Sequence, residues 1–415
     1  MLKYQTCAAA AILLALSASN SFADDAPAPA AAPAAPTGPS VADILTNSGI
    51  TVSGYIDASY EYSPSWSGQT TYANDEPLQL LAYRVFDQSP NSFAVNQAAL
   101  TIAKQPTSGF GGLVNVIYGR DAEYLPGSSG SDFSLTQAFV QYATGAWTFQ
   151  GGKFLTLAGA EVIAPTGNTN ASRSLLFFAE PLTHTGVRAT FAANEQLSVI
   201  FGINNGWASG EDGYAPGTTK TGELGLSFTP NKIVSMTVQG YYGAEKVDGN
   251  YYGNRALLDG VVTFNATPTL SIVGSVDWGN QANFNGANST ASYYGAALYL
   301  NWQINDNWRA SLRGEYVNDS KAYFFESNYN TSSYACTASG EGEVCGYSAN
   351  KVNEETLTIG YAPVKSVELR LEGRVDSASL PAFFVGDGSV GGDENVIYKK
   401  SQSTIELEAL YHFGP

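Results

Sequence analysis

The sequence predicts an all-β fold, a transmembrane antiparallel up-and-down β-barrel of about 16 strands with short periplasmic turns and long extracellular loops. Runs of about ten residues in which apolar and polar side chains alternate recur from residue 50 to the C-terminus. Short and long connections alternate strictly between these runs, as they do when one rim of a barrel faces the periplasm and the other the outside. Most tryptophans lie near the ends of the runs, where aromatic belts meet the membrane surface.

The N-terminus predicts an export signal followed by a spacer. Residues 1–23 combine Lys3, an apolar stretch and a small-residue cleavage site, which is the pattern of a secretory signal peptide. Residues 24–48 are rich in Ala and Pro and predict an extended periplasmic lead-in, whose role the composition leaves open. The barrel is expected to occupy residues 49–415.

Sixteen runs follow the lead-in. The predicted strands are 50–62, 92–104, 110–120, 134–144, 147–157, 183–193, 197–207, 220–229, 233–244, 252–265, 269–279, 291–303, 307–317, 351–363, 366–377 and 400–413. The clearest is the fifteenth, in which Leu369, Leu371 and Val375 share one face while Arg370 and Glu372 share the other. The last strand ends on Phe413, an aromatic close to the C-terminus, as outer-membrane barrels commonly do.

The connections between the strands are of two kinds. Seven are tight and contain the Gly, Asn, Asp and Pro residues that short hairpins use. The other eight are longer and polar, at 63–91, 121–133, 158–182, 208–219, 245–251, 280–290, 318–350 and 378–399. No stretch after the signal reaches the roughly 18 consecutive apolar residues of a membrane-spanning helix, so a membrane form has to be a closed barrel.

Composition limits the functions open to this chain. The net charge of −17, from 37 acidic and 20 basic residues, makes nucleic-acid binding improbable because phosphate backbones are repelled. His184 and His412, the only histidines, have no nucleophile near them in sequence, so no catalytic site, no metal site and no cofactor are predicted. Whether the acidic loop 386–395 binds Ca²⁺ stays open, because its spacing matches no EF-hand. An oxidising compartment favours a disulfide between Cys336 and Cys345 within loop 318–350.

Several segments resemble one known family. Residues 54–57 (GYID), 93–100 (FAVNQAAL), 136–142 (TQAFVQY), 151–162 (GGKFLTLAGAEV) and 172–187 (SRSLLFFAEPLTHTGV) look like the OmpL-like putative β-barrel porin family. The resemblance is densest over residues 50–205. It implies a diffusion channel in the outer membrane of a Gram-negative cell, surrounded by lipid and lipopolysaccharide, and it brings no catalytic residues.

The third long loop is the candidate constriction of such a channel. A barrel of about 16 strands leaves an aqueous channel unless something narrows it. By analogy with the loop at this position in general porins, Glu161, Arg173 and Glu180 are assigned to the narrowest part. The alternative is that this loop covers the outer mouth.

Strand alternation predicts a charged inner wall, since charges on the outer face would have to enter hydrocarbon, which costs about 2–4 kcal/mol for Arg or Lys at the midplane. The predicted wall consists of Asp57, Glu61, Arg309, Arg313, Glu315, Glu368, Arg370, Glu372, Arg374, Asp376, Glu406 and Glu408. Carboxylates outnumber arginines in this set, which predicts weak cation preference. These charges would either set selectivity or pair with one another and keep the lumen hydrated.

The sequence therefore favours a porin for passive diffusion of small hydrophilic solutes and ions, expected as a homotrimer by analogy with general porins. One alternative is a sugar-specific channel in which lumen tyrosines such as Tyr55 and Tyr241 stack on the solute. Another is a structural or adhesive surface barrel that binds a partner through loop 318–350. Failure to conduct would favour the adhesive protein, and saturable current block by a sugar would favour the specific channel.

Overall fold

A computed structural model describes most of the predicted barrel. The described residues are 45, 47–64, 72–73, 76–77, 81–128, 130–207, 219–248, 251–284, 289–321, 323–325, 335–339, 342–346, 350–380, 382–387 and 396–414. The predicted signal peptide and nearly all of the lead-in lie outside them.

Sixteen strands form one barrel, as the sequence predicts. They are β1 Thr51–Tyr62, β2 Ser92–Lys104, β3 Gly109–Tyr118, β4 Phe133–Thr144, β5 Trp147–Leu155, β6 Thr183–Ala192, β7 Leu197–Asn204, β8 Thr221–Phe228, β9 Val234–Asp248, β10 Tyr251–Thr267, β11 Leu270–Ala282, β12 Thr290–Gln303, β13 Trp308–Asp319, β14 Asn350–Val364, β15 Val367–Ala378 and β16 Ser401–Phe413.

The barrel is an antiparallel meander that closes on itself. Each strand pairs with its neighbours in sequence, and β1 also pairs with β16, so no strand of the barrel has an open edge. Glu61 is opposite Glu406, and Asp57 is opposite Leu410 across this closing seam. Closure satisfies the backbone N–H and C=O groups without water, which is the condition for strands to cross lipid.

Burial in the strands is the reverse of that in a soluble sheet. In β15, Leu369, Leu371 and Val375 are 46%, 50% and 47% exposed, while Arg370 and Glu372 are each 2% exposed. The apolar residues therefore face outwards and the charged residues face inwards. This arrangement is stable when the outside is hydrocarbon rather than water.

Within the described parts of the long connections there are three short hairpins. They pair 72–73 with 76–77, 335–339 with 342–346, and 383–387 with 396–399. The predicted loop at 245–251 is wrong as a loop, because β9 continues to Asp248 and β10 begins at Tyr251. The two strands remain paired over these residues, and only 249–250 separate them.

Four of the tryptophans lie on the outer surface near strand ends. Trp147, Trp278, Trp302 and Trp308 are 38–51% exposed, which suits an interfacial position. Trp207 does not follow this pattern: it lies past the end of β7 and is 5% exposed, with the Arg255 guanidinium 5.3 Å from its ring centre.

Among the described residues, helical structure occurs just before β1, at 45 and 47–48, and in the connections. Arg120–Tyr124 and Pro165–Gly167 form 3₁₀ turns, and Leu175–Ala179 forms a short α-helix, α1. Among the described residues, no helix has the length and apolar character needed to cross a membrane.

Candidate functional site

The connection between β5 and β6, residues 158–182 and here called the inner loop, reaches the far side of the barrel. In a ring of 16 strands, β5 and β13 are eight strands apart and therefore diametrically opposed. The inner loop nevertheless makes direct hydrogen bonds to β13 and β15. Its partner Glu372 lies in the middle of β15, at the sixth of 12 positions. The inner loop thus spans the interior at the level of the strands.

Hydrogen bonds within the inner loop give it a fixed shape. The side-chain amide of Asn168 accepts from the Val162 N–H at 2.9 Å and donates to the Val162 carbonyl at 2.7 Å, which closes a tight turn. The Arg173 guanidinium donates to the Ala171 and Ile163 carbonyls, each at 2.7 Å. Ser174 caps α1, since its hydroxyl accepts from the Phe177 N–H at 3.0 Å.

Wall carboxylates hold the inner loop through its backbone N–H groups. Glu372 accepts from the N–H groups of Ala171 at 2.7 Å and Ser172 at 3.0 Å. Glu315 on β13 accepts from the Leu175 N–H at 2.7 Å, the first residue of α1. Such charge-assisted bonds are among the strongest hydrogen bonds in proteins.

Wall arginines hold the carbonyl groups of the same loop. Arg370 donates to the Asn168 carbonyl at 3.1 Å, and Arg374 donates to the Arg173 carbonyl at 2.5 Å. Arg309 donates to the Thr169 carbonyl at 2.5 Å. Acidic and basic wall residues therefore bind complementary backbone groups of one segment.

Arg313 is the centre of this contact. It is fully buried, 2.7 Å from Glu161 of the inner loop and 3.1 Å from Glu354 of β14, and it donates to the Ser172 carbonyl at 2.8 Å. Glu161 in turn accepts from the Ser174 N–H at 2.6 Å. The sequence did not single out Glu354, although it lies on the inward parity of β14.

The three residues assigned to the constriction do not meet at one point. Glu161 pairs with Arg313 of β13, and Arg173 donates to carbonyl groups of its own loop. Glu180 follows α1 and lies instead beside Asp259 of β10 and Asp277 of β11. The inner loop thus contacts two separate regions of the wall.

The predicted wall residues lie on the interior face and mostly pair with one another. All are buried except Arg309 and Glu368, which are partly exposed and form an ion pair at 2.5 Å. Further pairs join Arg370 to Glu408 at 3.0 Å, and Arg374 to Asp376 at 2.8 Å. Asp57, Glu61 and Glu406 lie at the seam between β1 and β16, while Arg313, Glu315 and Glu372 bind the inner loop as described above.

A second segment inside the barrel comes from the first long connection. In this loop-1 segment, Leu81–Gln88, the Arg84 side chain is 1% exposed and contacts three different strands. Arg84 pairs with Glu61 at 2.6 Å and Asp376 at 3.4 Å, and donates to the Thr404 hydroxyl at 2.8 Å.

The loop-1 segment is closely folded and rests on the inner loop. The Gln88 amide donates to the Leu81 and Arg84 carbonyls and accepts from the Leu81 N–H, which closes the turn. Its Phe86 ring lies 6.0 Å from the Phe177 ring of α1. This segment was not predicted from the sequence. The available signal was an arginine among apolar residues in LLAYRVF, which is unusual in a solvated loop.

Two loop carboxyls have strongly altered proton affinity. Burial, reinforced by the charge of Asp87, raises the pKa of Asp121 to about 8, although a 2.8 Å hydrogen bond from the Gln97 amide opposes this shift. Burial together with Asp277 and Asp259 holds the pKa of Glu180 well above its usual range.

The histidines and the proposed stacking tyrosines are engaged within the protein. His184, at the start of β6, is fully buried and its ring stacks on the Tyr241 ring with 4.9 Å between their centres. His412 contacts the Lys365 carbonyl at a tight turn. The Tyr55 hydroxyl donates to Gln97 at 2.7 Å, and the Tyr241 hydroxyl donates to Glu223 at 3.1 Å.

The predicted disulfide and the acidic loop are only partly within the described residues. Cys336 and Cys345 are directly opposite each other in the hairpin 335–339/342–346, which keeps their disulfide as a prediction based on backbone register. Loop 386–395 lies outside the described residues except for the strand end at 386–387.

Comparisons with known proteins agree with this architecture. The sequence family described as "Putative beta-barrel porin-2, OmpL-like" matches residues 49–413. No curated protein sequence matches the chain significantly.

Solved outer-membrane structures resemble the fold at low sequence identity. The anion-selective porin from Comamonas acidovorans aligns with a TM-score of 0.55 at 11% identity, covering 88% of this chain and 99% of that one. OmpT of Vibrio cholerae with loop L8 deleted aligns with a TM-score of 0.54 at 10% identity, covering 88% of this chain and 99% of that one. The outer-membrane channel DcaP of Acinetobacter baumannii aligns with a TM-score of 0.53 at 13% identity, covering 88% of this chain and 97% of that one.

Proposed function

The chain belongs to the OmpL-like family of β-barrel porins of the outer membrane, and on that premise we propose that it is a passive channel for small hydrophilic solutes and ions. The observation that carries the proposal is the inner loop, bound inside a closed 16-stranded barrel to strands opposite its own. A wall of charged side chains and a charged loop between its two sides form a polar path that excludes apolar solutes.

The inner loop and the loop-1 segment together form the proposed constriction. Both occupy the interior, and both are held by wall residues of β15, through Glu372 for the inner loop and Asp376 for the loop-1 segment. Glu161, Arg173 and Glu180 shape the inner loop rather than act as one ring of charges. The wall set contains eight carboxylates and four arginines, and this excess supports the expected weak cation preference.

The proposal is tested by recording currents from the purified protein in planar bilayers. Wild-type protein should insert as discrete ohmic steps, and deletion of residues 168–172 should increase the step size, because this segment carries the contacts to Glu372 and Arg370. A matched deletion outside the lumen, at the turn 304–306, should leave the step size unchanged. Absence of steps refutes the channel, and unchanged steps in the first deletion refute the constriction.

Reversal potentials in a KCl gradient test the selectivity. Weak cation preference is expected, and clear anion preference would contradict it. The same recordings test the proposed homotrimer, because each inserted trimer should close in three equal conductance steps, one for each subunit. A trimeric form of the similar OmpT barrel supports this assembly.

A further inference from the structure

Three buried carboxylates from three separate segments meet at one place inside the barrel. Glu180 follows α1 in the inner loop, Asp259 belongs to β10, and Asp277 belongs to the neighbouring strand β11. One carboxylate oxygen of each lies within 4.8 Å of the other two. Their exposed fractions are 6%, 1% and 4%.

This cluster lacks the basic partners found elsewhere in the barrel. Glu161 pairs with Arg313, Glu61 with Arg84, and Glu223 with Arg188, all within 2.8 Å. No Lys or Arg of the described chain forms an ion pair with any member of the cluster within 4.0 Å. Removing ionised carboxylates from water without a compensating charge is costly, so the cluster needs a positive ligand or bound protons.

Asp259 supplies a separate observation that points to a ligand. It is 1% exposed, and neither of its carboxylate oxygens has a donor within strict hydrogen-bond geometry. The backbone N–H groups of Gly159 and Gly260 and the Asp277 carboxyl lie near it in looser geometry, and none of them carries a positive charge. The Oδ1 atom of Asp277 likewise has no donor within strict hydrogen-bond geometry, whereas its Oδ2 atom accepts from the Tyr293 hydroxyl at 3.3 Å. Three acceptor oxygens of the cluster therefore lack a donor within strict hydrogen-bond geometry.

We propose that Glu180, Asp259 and Asp277 bind one divalent cation, and that Ca²⁺ is the ion that fits best. Calcium prefers carboxylate oxygens at about 2.3–2.6 Å, so oxygens on opposite sides of one ion are up to about 5 Å apart. The 4.8 Å limit within the cluster satisfies this spacing. The smaller Mg²⁺ requires about 2.0–2.1 Å and keeps several waters, which a buried cluster does not supply.

Gly159 provides the room for this arrangement. It lies at the start of the inner loop with φ of 84°, a backbone conformation that favours glycine, and a Cβ atom there would collide with the Glu180 carboxylate. The cation would fasten the α1 end of the inner loop to β10 and β11, while Arg313 holds its other contact region to β13.

Calcium binding is measured on the full-length mature protein, refolded in detergent free of lipopolysaccharide, because lipopolysaccharide itself binds calcium. After chelator treatment, calorimetric titration with CaCl₂ should give one site per chain. Asp277→Asn and Glu180→Gln should each weaken binding at least tenfold. Asp121→Asn removes a buried loop carboxylate outside the cluster and should bind within twofold of wild type.

A second probe keeps the result independent of variant folding. Tb³⁺ replaces Ca²⁺ at oxygen sites, and the nearby Tyr293 ring should sensitise its luminescence in wild-type protein, with Ca²⁺ reversing the signal. Absence of saturable Ca²⁺ binding by wild type overturns the proposal, as does wild-type affinity in folded Glu180→Gln. An equal loss of Ca²⁺ affinity in Asp121→Asn also overturns the proposal, because binding would then depend on the total negative charge rather than on the three cluster carboxylates. These measurements need no current, so they are independent of whether the barrel conducts.

Discussion

Replacement of Arg313 by Met should loosen the inner loop from the barrel wall. Methionine has a similar length but no charge, so the substitution removes contacts to Glu161 at 2.7 Å and to the Ser172 carbonyl at 2.8 Å. Hydrogen bonds to charged groups contribute about 1.5–3 kcal/mol each, so the two contacts together are worth about 3–6 kcal/mol. The ties through Glu372 and Arg370 remain, so the loop should leave its position part of the time rather than permanently.

A double-mutant cycle isolates the contribution of one contact. Arg313→Met, Glu161→Gln and the double variant are compared by the ratio of time spent in low and high conductance states in planar bilayers. The coupling energy of the pair should be about 1.5–3 kcal/mol, which is about a 10- to 140-fold factor in that ratio. The barrel of each variant is checked by its heat-dependent migration in gels.

Arg120→Gln removes an ion pair with Glu123 at 3.3 Å that is partly exposed, 43% and 25% for the two side chains, and should leave the currents unchanged. If the effects of the two lumen variants add to within about 0.5 kcal/mol, the contact does not hold the loop.

Four further outcomes are expected. Arg84→Gln should raise unitary conductance by freeing the loop-1 segment, and unchanged conductance in a folded variant would show that this segment does not obstruct the lumen. In single-tryptophan variants, brominated lipids should quench every other described tryptophan more strongly than Trp207, and equal quenching would contradict its interior position. The Asp121 carboxyl, with a pKa of about 8 in the folded protein against about 4 when unfolded, holds a proton whose stabilising contribution is lost as pH rises from 4 to 8. Asp121→Asn should therefore reduce the fall in unfolding temperature over that range, and an identical pH slope would count against it. Thiol alkylation of the exported protein should label Cys336 and Cys345 only after reduction, and labelling without reductant would exclude the disulfide.

The strands were predictable because their signal is local. Alternation along one run identifies a strand and its two faces, so Arg370 and Glu372 were assigned to the interior before any pairing was known. Neighbour pairing follows from short turns, and closure of β1 with β16 follows from the cost of open edges in lipid.

Two predictions were wrong because the local sequence pattern differs from the tertiary contacts that the residues make. The segment 245–251 is polar and was taken as a loop, yet β9 and β10 continue through most of it because each supplies the partner for the other. Trp207 ends the predicted strand 197–207, where an interfacial belt is expected, but in the structure it lies past the strand and packs against Tyr241 and Arg255.

By itself the sequence determined the number of strands, their order, the face each side chain occupies, and the inner loop as the place to examine. It did so because the pleat repeats every two residues and lipid penalises each outward charge. Only the tertiary structure decided which charges meet: Arg313 with Glu161 across the barrel, Arg84 with Asp376 through a loop outside the strand alternation, and Glu180 with two aspartates far along the chain. These contacts join residues more than 75 positions apart, and their geometry depends on how a loop crosses a closed barrel, which periodicity along a strand does not encode.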